Sequence, residues 1–323
     1  MGLVIILGAA LLFGLAQFIN GMASRRVPGL EVACWTQLGM TGVACVMVLQ
    51  GTITHPWQLE TTLWGVAAGL AGACGAWLLY SALGRASFSR AVGTSTVTTT
   101  VMPAMAAIAL WGEPVTLLRV CLLGCAVTTV WLLTSGMPRP RSGPARMGAP
   151  EVHSAPVDGH LTVKTTPPPG NQGTRPTRRP GPLTLAFLAG LGFAVELMAA
   201  ARLPPENFAQ GLWTWSLTGW MLLTVLVLRR RGDGVIAGVL PRGGPGLAAV
   251  AAGALTGSAM WLFHLGTGLI GLTTASAVVA VYPAVPIVLA VLLLGERPGR
   301  RAVWGLGGVA GVVVLAGLSD LLG

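Results

Sequence analysis

Along this chain the hydrophobic residues fall into long runs separated by short polar breaks. A helix needs roughly 20 mostly apolar residues to cross about 30 Å of hydrocarbon at about 1.5 Å per residue. Ten runs meet that length, at residues 2–22, 30–49, 62–84, 91–111 and 115–135, and then at 183–202, 208–228, 247–267, 274–294 and 302–319. The first run lacks the basic start and small-residue cleavage site of a secretory signal, so it is read as a retained span. The connections are short except for one, from Gly136 to Pro182. That stretch holds half of the chain's 22 prolines and its only lysine, Lys164. It cannot bury enough apolar surface to fold alone, which predicts a disordered linker. The linker divides the spans five and five, giving a first helical unit at 1–135, a linker at 136–182 and a second helical unit at 183–323.

The two units resemble each other. At an offset of 183, Pro103 falls on Pro286, Gly112-Glu113 on Gly295-Glu296, and Gly124 on Gly307. At an offset of 180, Phe13 falls on Phe193, Trp35 on Trp215 and Gly39 on Gly219. Because five is odd, the second copy must enter the membrane from the opposite side. The expected fold is therefore an all-α integral membrane protein of ten transmembrane helices, built as two inverted five-helix repeats.

Composition supports a bilayer as the solvent. Hydrophobic residues make up 53% of the chain and charged residues only 9%, against roughly 25% charged in soluble proteins. The 46 glycines suit membrane helices, where they let backbones approach closely. In particular the pairs Gly65/Gly69, Gly253/Gly257 and Gly307/Gly311 are expected to be packing faces. The net charge of +10 does not point to nucleic acid, because the arginines sit between apolar spans and form no amphipathic basic face. The five cysteines all lie inside apolar runs and read as packing residues; neither a disulfide framework nor a metal site is expected. No cofactor motif is present.

The charges also orient the chain. Arginines follow spans 1, 3, 7 and 9, and seven basic residues lie in the linker after span 5, whereas the opposite loops carry only Arg119 and Arg202. The positive-inside rule then places the linker in the cytoplasm and both termini outside, in a multi-pass plasma (inner) membrane protein.

The Gly-Glu pairs at 112–113 and 295–296, each between a proline-bearing and a glycine-bearing helix, together with the segment from Leu12 to Arg26, resemble the EamA-type ten-helix proteins of the drug/metabolite transporter superfamily. The resemblance spans everything but the linker. It implies secondary transport of small organic solutes, often export of metabolites, amino acids or drugs. Related four-helix multidrug transporters couple to protons through a glutamate in their first helix. Here the first half is apolar at that level, around Ala16, and only the second half carries an acid, Glu196.

Polar groups inside a membrane are expensive and each needs a reason. Glu196, more than half way along span 6, fits proton coupling or contact with a cationic substrate; the alternative is a carboxylate reaching water or Arg202. Gln17 and Asn20 share one face of span 1, and serve either a substrate cavity or helix–helix hydrogen bonds. Ser95, Thr98 and Thr99 form a hydroxyl stripe on span 4. Thr99 aligns with Tyr282, so a cavity between the halves would see both. Tyr80 and His264 complete the cavity candidates, His264 being equally readable as a packing residue. Trp35, Trp213 and Trp215 suit ligand stacking or, for at least two of them, interfacial anchoring. Pro103, Pro283 and Pro286 are candidate helix bends. Glu113 and Glu296 are expected to cap the spans that follow them.

These readings converge on a secondary active transporter, an exporter by resemblance, that is not an enzyme. Its partners would be the lipid bilayer, a small-molecule solute and, for coupling, protons, with a homodimer compatible. An uptake carrier or facilitator for a solute such as a sugar, and a non-transporting scaffold acting through the linker, are the alternatives. A membrane enzyme is disfavoured, because Glu196 and His264 are too few to make an acid–base or metal cluster.

Overall fold

The computed structural model describes residues 1–50, 56–83, 88–112, 115–135, 180–231, 239–294 and 299–322. Glu113, Gly295, Glu296 and most of the linker lie outside these. The chain divides into one compact unit of Met1–Pro138 with Gly181–Gly323 and a second of Arg139–Pro180, which but for Pro180 is also outside the described residues.

The large unit is built of α-helices, with no strand among the described residues. In chain order they are α1 (Gly2–Ser24), α2 (Gly29–Leu49), α3 (Leu59–Leu83), α4 (Phe88–Trp111), α5 (Leu117–Ser135), α6 (Pro182–Ala201), α7 (Phe208–Arg231), α8 (Gly243–Ile270), α9 (Leu272–Val279), α10 (Ala284–Leu294) and α11 (Arg300–Leu322), with a single 3-10 turn, Pro205–Asn207, before α7. Eight stretches among the described residues are long and apolar enough to cross a bilayer. Two shorter apolar stretches, Leu117–Leu133 and Val303–Leu318, lie in α5 and α11. Large apolar side chains such as Leu63, Leu70, Leu292 and Trp304 stand exposed on the outside. That surface suits hydrocarbon, and the chain is a multi-pass, all-helical membrane protein.

Local chemistry sets the helix ends. Pro182 occupies the first turn of α6, where its missing N–H costs nothing. Glu31 sits in the first turn of α2, where the helix dipole favours negative charge. Gly112, immediately after α4, has φ 66°, and Gly271, the single residue between α8 and α9, has φ 78°. Both are positive-φ conformations that glycine adopts without strain.

One expected span is not a single helix. The run 274–294 is divided into α9 and α10 by a turn at residues 280–283. Pro283 has no N–H to donate, and Tyr282 N–H turns back to the Val279 carbonyl at 2.9 Å while Val285 N–H reaches the Tyr282 carbonyl at 3.1 Å. These three-residue bonds satisfy the carbonyls that Pro283 and Pro286 leave free. Pro103 has no such effect, because α4 continues through it.

The packing order is reciprocal. Helix α1 packs on α8, and α6 packs on α3; α2 packs on α8, and α7 on α3; α2 meets α7, and α5 meets α11. Glycines set these crossings. A side chain at Gly39 would strike the Val250 carbonyl, and one at Gly253 the Thr36 carbonyl; one at Gly69 would strike the Trp215 carbonyl, and one at Gly219 would meet the Gly69 carbonyl at 3.1 Å. Gly65 lies against α7, and a side chain at Gly257 would meet Val43 at 3.2 Å, so these pairs are packing faces as expected. Gly307 is not: a side chain there would meet open space, and one at Gly311 would meet only Cys125, at 3.5 Å.

Candidate functional site

Between these helices lies a cavity of about 90 Å3. Helix α1 contributes Phe13, Ala16, Gln17 and Asn20; α2 contributes Thr36, Gln37 and Met40; α3 contributes Gly72, Ala76 and Tyr80. The other wall comes from Phe193, Glu196 and Leu197 of α6, Thr256 and Met260 of α8, and Thr99, Val279 and Tyr282. Both sides of the linker therefore build it.

Glu196 is 5% exposed. Its carboxyl occupies a niche that exists because residue 72 is glycine: a Cβ there would overlap the carboxylate. The indole of Trp215 stands beside it. Arg202 is not its partner. That guanidinium lies over the rings of Trp64, at 5.8 Å, and Trp111, at 5.6 Å, a cation–π arrangement that holds the charge away from the cavity.

A hydrogen-bonded chain lines one end. Asn20 Nδ2 donates to the Tyr80 hydroxyl at 2.8 Å, and Thr36 Oγ1 approaches Asn20 Oδ1 at 3.0 Å and the Val32 carbonyl at 2.8 Å. Tyr80 is within electrostatic reach of Glu196 and of Tyr282. Across the cavity Tyr282 and Thr96 hydroxyls are 2.9 Å apart. Thr96 also donates to the Val92 carbonyl at 2.8 Å, so its single proton is used there and Tyr282 is the donor between them. Thr99 donates to the Ser95 carbonyl at 2.9 Å. The carboxamide oxygens of Gln17 and Gln37 are buried without a hydrogen-bond partner.

Six of the nine cavity candidates, Gln17, Asn20, Tyr80, Thr99, Glu196 and Tyr282, line this one space. The other three do not. Ser95 and Thr98 face α6, where the Ser95 carbonyl and Thr98 Cβ leave room only for Gly190. His264 stacks on Phe208, ring centroids 4.2 Å apart, as a packing residue. The tryptophan expectation also fails. Trp35 and Trp215 are 2% and 0% exposed, so neither is an interfacial anchor, and neither lines the cavity. Of the candidate bends, the break falls at Pro283; Pro286 lies in the first turn of α10.

Thr36, Gln37, Thr96 and Thr256 were not singled out by sequence. Gln37 carried the same signal as Gln17, an amide inside an apolar run. Threonines give none, because a hydroxyl bonded to its own helix leaves no trace in the hydrophobic pattern.

No protein-family model matches the chain, and no curated protein matches it. Among solved structures the chain is similar to one described only as "Crystal structure of protein", at a TM-score of 0.63 and 17% identity over 98% of this chain and 96% of that one. At that identity the likeness establishes a shared fold across nearly the whole length.

Proposed function

We propose that the protein is a secondary active transporter of small organic solutes, an EamA-type member of the drug/metabolite transporter superfamily, with the central cavity as its binding site. The observation that carries this reading is the cavity itself: a polar, carboxylate-bearing space inside a membrane protein, walled by helices from both sides of the linker. Polar groups at such depth mark solute pathways. The reciprocal helix packing supports two five-helix repeats of opposite orientation, ten spans in all when α9 and α10 count as one. Rocking of one set of helices against the other would expose the site alternately. The arginine distribution supports a plasma-membrane orientation with the linker cytoplasmic and the termini outside.

Glu196, in the niche that Gly72 leaves open, is the candidate proton-coupling group, and export driven by protons moving down their gradient is the direction the resemblance favours. Purified protein in proteoliposomes tests this. Solute flux should be driven by a pH gradient, and Glu196→Gln should abolish the gradient-driven part. Flux that is equal with and without the gradient, and equal in the variant, would remove proton coupling and leave a facilitator.

A further inference from the structure

We infer that the cavity is built for a small organic amine carrying at least two N–H donors, and excludes organic anions. This rests on the cavity being the solute site proposed above, and narrows its substrate.

Proton accounting around the wall carries the inference. The hydroxyl protons of Thr99 and Thr256 go to carbonyls of their own helices, Ser95 and Ala252, at 2.9 Å each. The Thr36 proton is used within the protein, on Val32 or Asn20, and that of Tyr282 is used on Thr96. Each hydroxyl then offers the cavity lone pairs only. Glu196 adds a carboxylate, and Gln17 and Gln37 add carboxamides whose oxygens are unpartnered. Against this the donors are all neutral: the Tyr80 hydroxyl, the second N–H of Asn20, the Trp215 indole beside Glu196 and the glutamine amides. No lysine, arginine or histidine is among the described residues that line the space. A buried acceptor left unmet is costly, so a ligand must bring donors, and a buried carboxylate whose neighbour is a neutral indole calls for a positive charge. An anion would meet a carboxylate with no cation to offset it. Phe13, Phe193, Leu197 and Met260 supply an apolar wall for the carbon frame.

The donor requirement separates a primary ammonium from a quaternary one, which matches the charge and has no N–H. The test uses full-length protein in lipid nanodiscs and calorimetric titration with three matched probes: 2-phenylethylamine, its N,N,N-trimethyl derivative and 3-phenylpropanoate. The primary amine should bind, the trimethyl compound at least about fivefold more weakly, since roughly 1–3 kcal/mol attends an unmet buried acceptor, and the carboxylate should give no saturable signal. Glu196→Gln should weaken the amine at least about tenfold while melting near the wild-type temperature. Trimethyl binding as tight as the amine, saturable carboxylate binding, or no binding by any of the three would overturn the inference. Because the wild type carries the comparison, a variant that fails to fold does not rescue it. Amine binding without flux of any solute would sink transport and support the ligand class; flux of an anion without amine binding would do the reverse.

Discussion

Helix α4 and the α9–α10 segment align at an offset of 183 residues and each carries a proline at the same place, Pro103 and Pro286. Yet α4 runs unbroken from Phe88 to Trp111, whereas its counterpart stops at Val279 and restarts at Ala284. The difference is a second proline, Pro283, at the position where α4 has Thr100. One missing N–H is absorbed within a helix, but two missing donors three residues apart free two neighbouring carbonyls, and the backbone tightens into turns whose N–H groups reach back three residues to meet them. Gly14 of α1 faces this turn, with the Tyr282 carbonyl at 2.7 Å from where a Cβ would sit, so α1 covers the break closely. The break also lies at the cavity, since Val279 and Tyr282 line it. One wall is a continuous helix and the facing wall a jointed one, tied together by the Tyr282–Thr96 hydrogen bond.

The largest expected effects concern the scaffold that holds both walls. Gly39→Val and Gly253→Val each drive a side chain into a carbonyl of the partner helix, and each should prevent accumulation of folded protein, a loss beyond the ~1–3 kcal/mol of ordinary overpacking. Gly307→Val, with open space around it, should melt within a few degrees of wild type. Thermal unfolding of the detergent-solubilised variants checks both. Equal damage at all three positions would show that glycine content, not the crossing geometry, is what matters.

Next in size is the joint. Pro283→Ala restores the N–H that a continuous helix needs, and should slow solute flux in proteoliposomes at least about tenfold by stiffening the α9–α10 wall. Pro103→Ala in the unbroken helix should change flux less than about twofold. If both alanine variants behave alike, the joint has no part in the cycle.

Smallest is the tie between the walls. Tyr282→Phe deletes the donor to Thr96 and should lower stability by about 1 kcal/mol, seen as a modest fall in melting temperature. Thr99→Val, whose hydroxyl serves only backbone carbonyls, should fall by less.

How much of this was legible in sequence follows from what each signal reports. Helix positions were, because a 20-residue apolar run admits one membrane-spanning solution. Glu196, Gln17 and Asn20 were, because burying such groups in lipid needs compensation. The break at 280–283 was only half legible. Pro283 and Pro286 marked the place, but prolines bend or break a helix according to which neighbours meet the freed carbonyls. Face assignments were not legible: Thr98 and Thr99 are adjacent on one helix, and only Thr99 reaches the cavity, since α6 lies against Thr98 at Gly190 and covers it. Burial of Trp35 and Trp215 was equally invisible, as an indole in an apolar run reads the same at the lipid interface and in the core.

The most direct test of the account is sidedness of the cavity. With the five native cysteines replaced by alanine, a single cysteine at Ala76, on the cavity wall, is labelled with a membrane-impermeant thiol reagent from either face of oriented proteoliposomes. The account predicts labelling from both faces while solute cycles, and protection by bound solute. Labelling from one face alone under every condition would contradict it, and would make the cavity a fixed pocket and not a transport path.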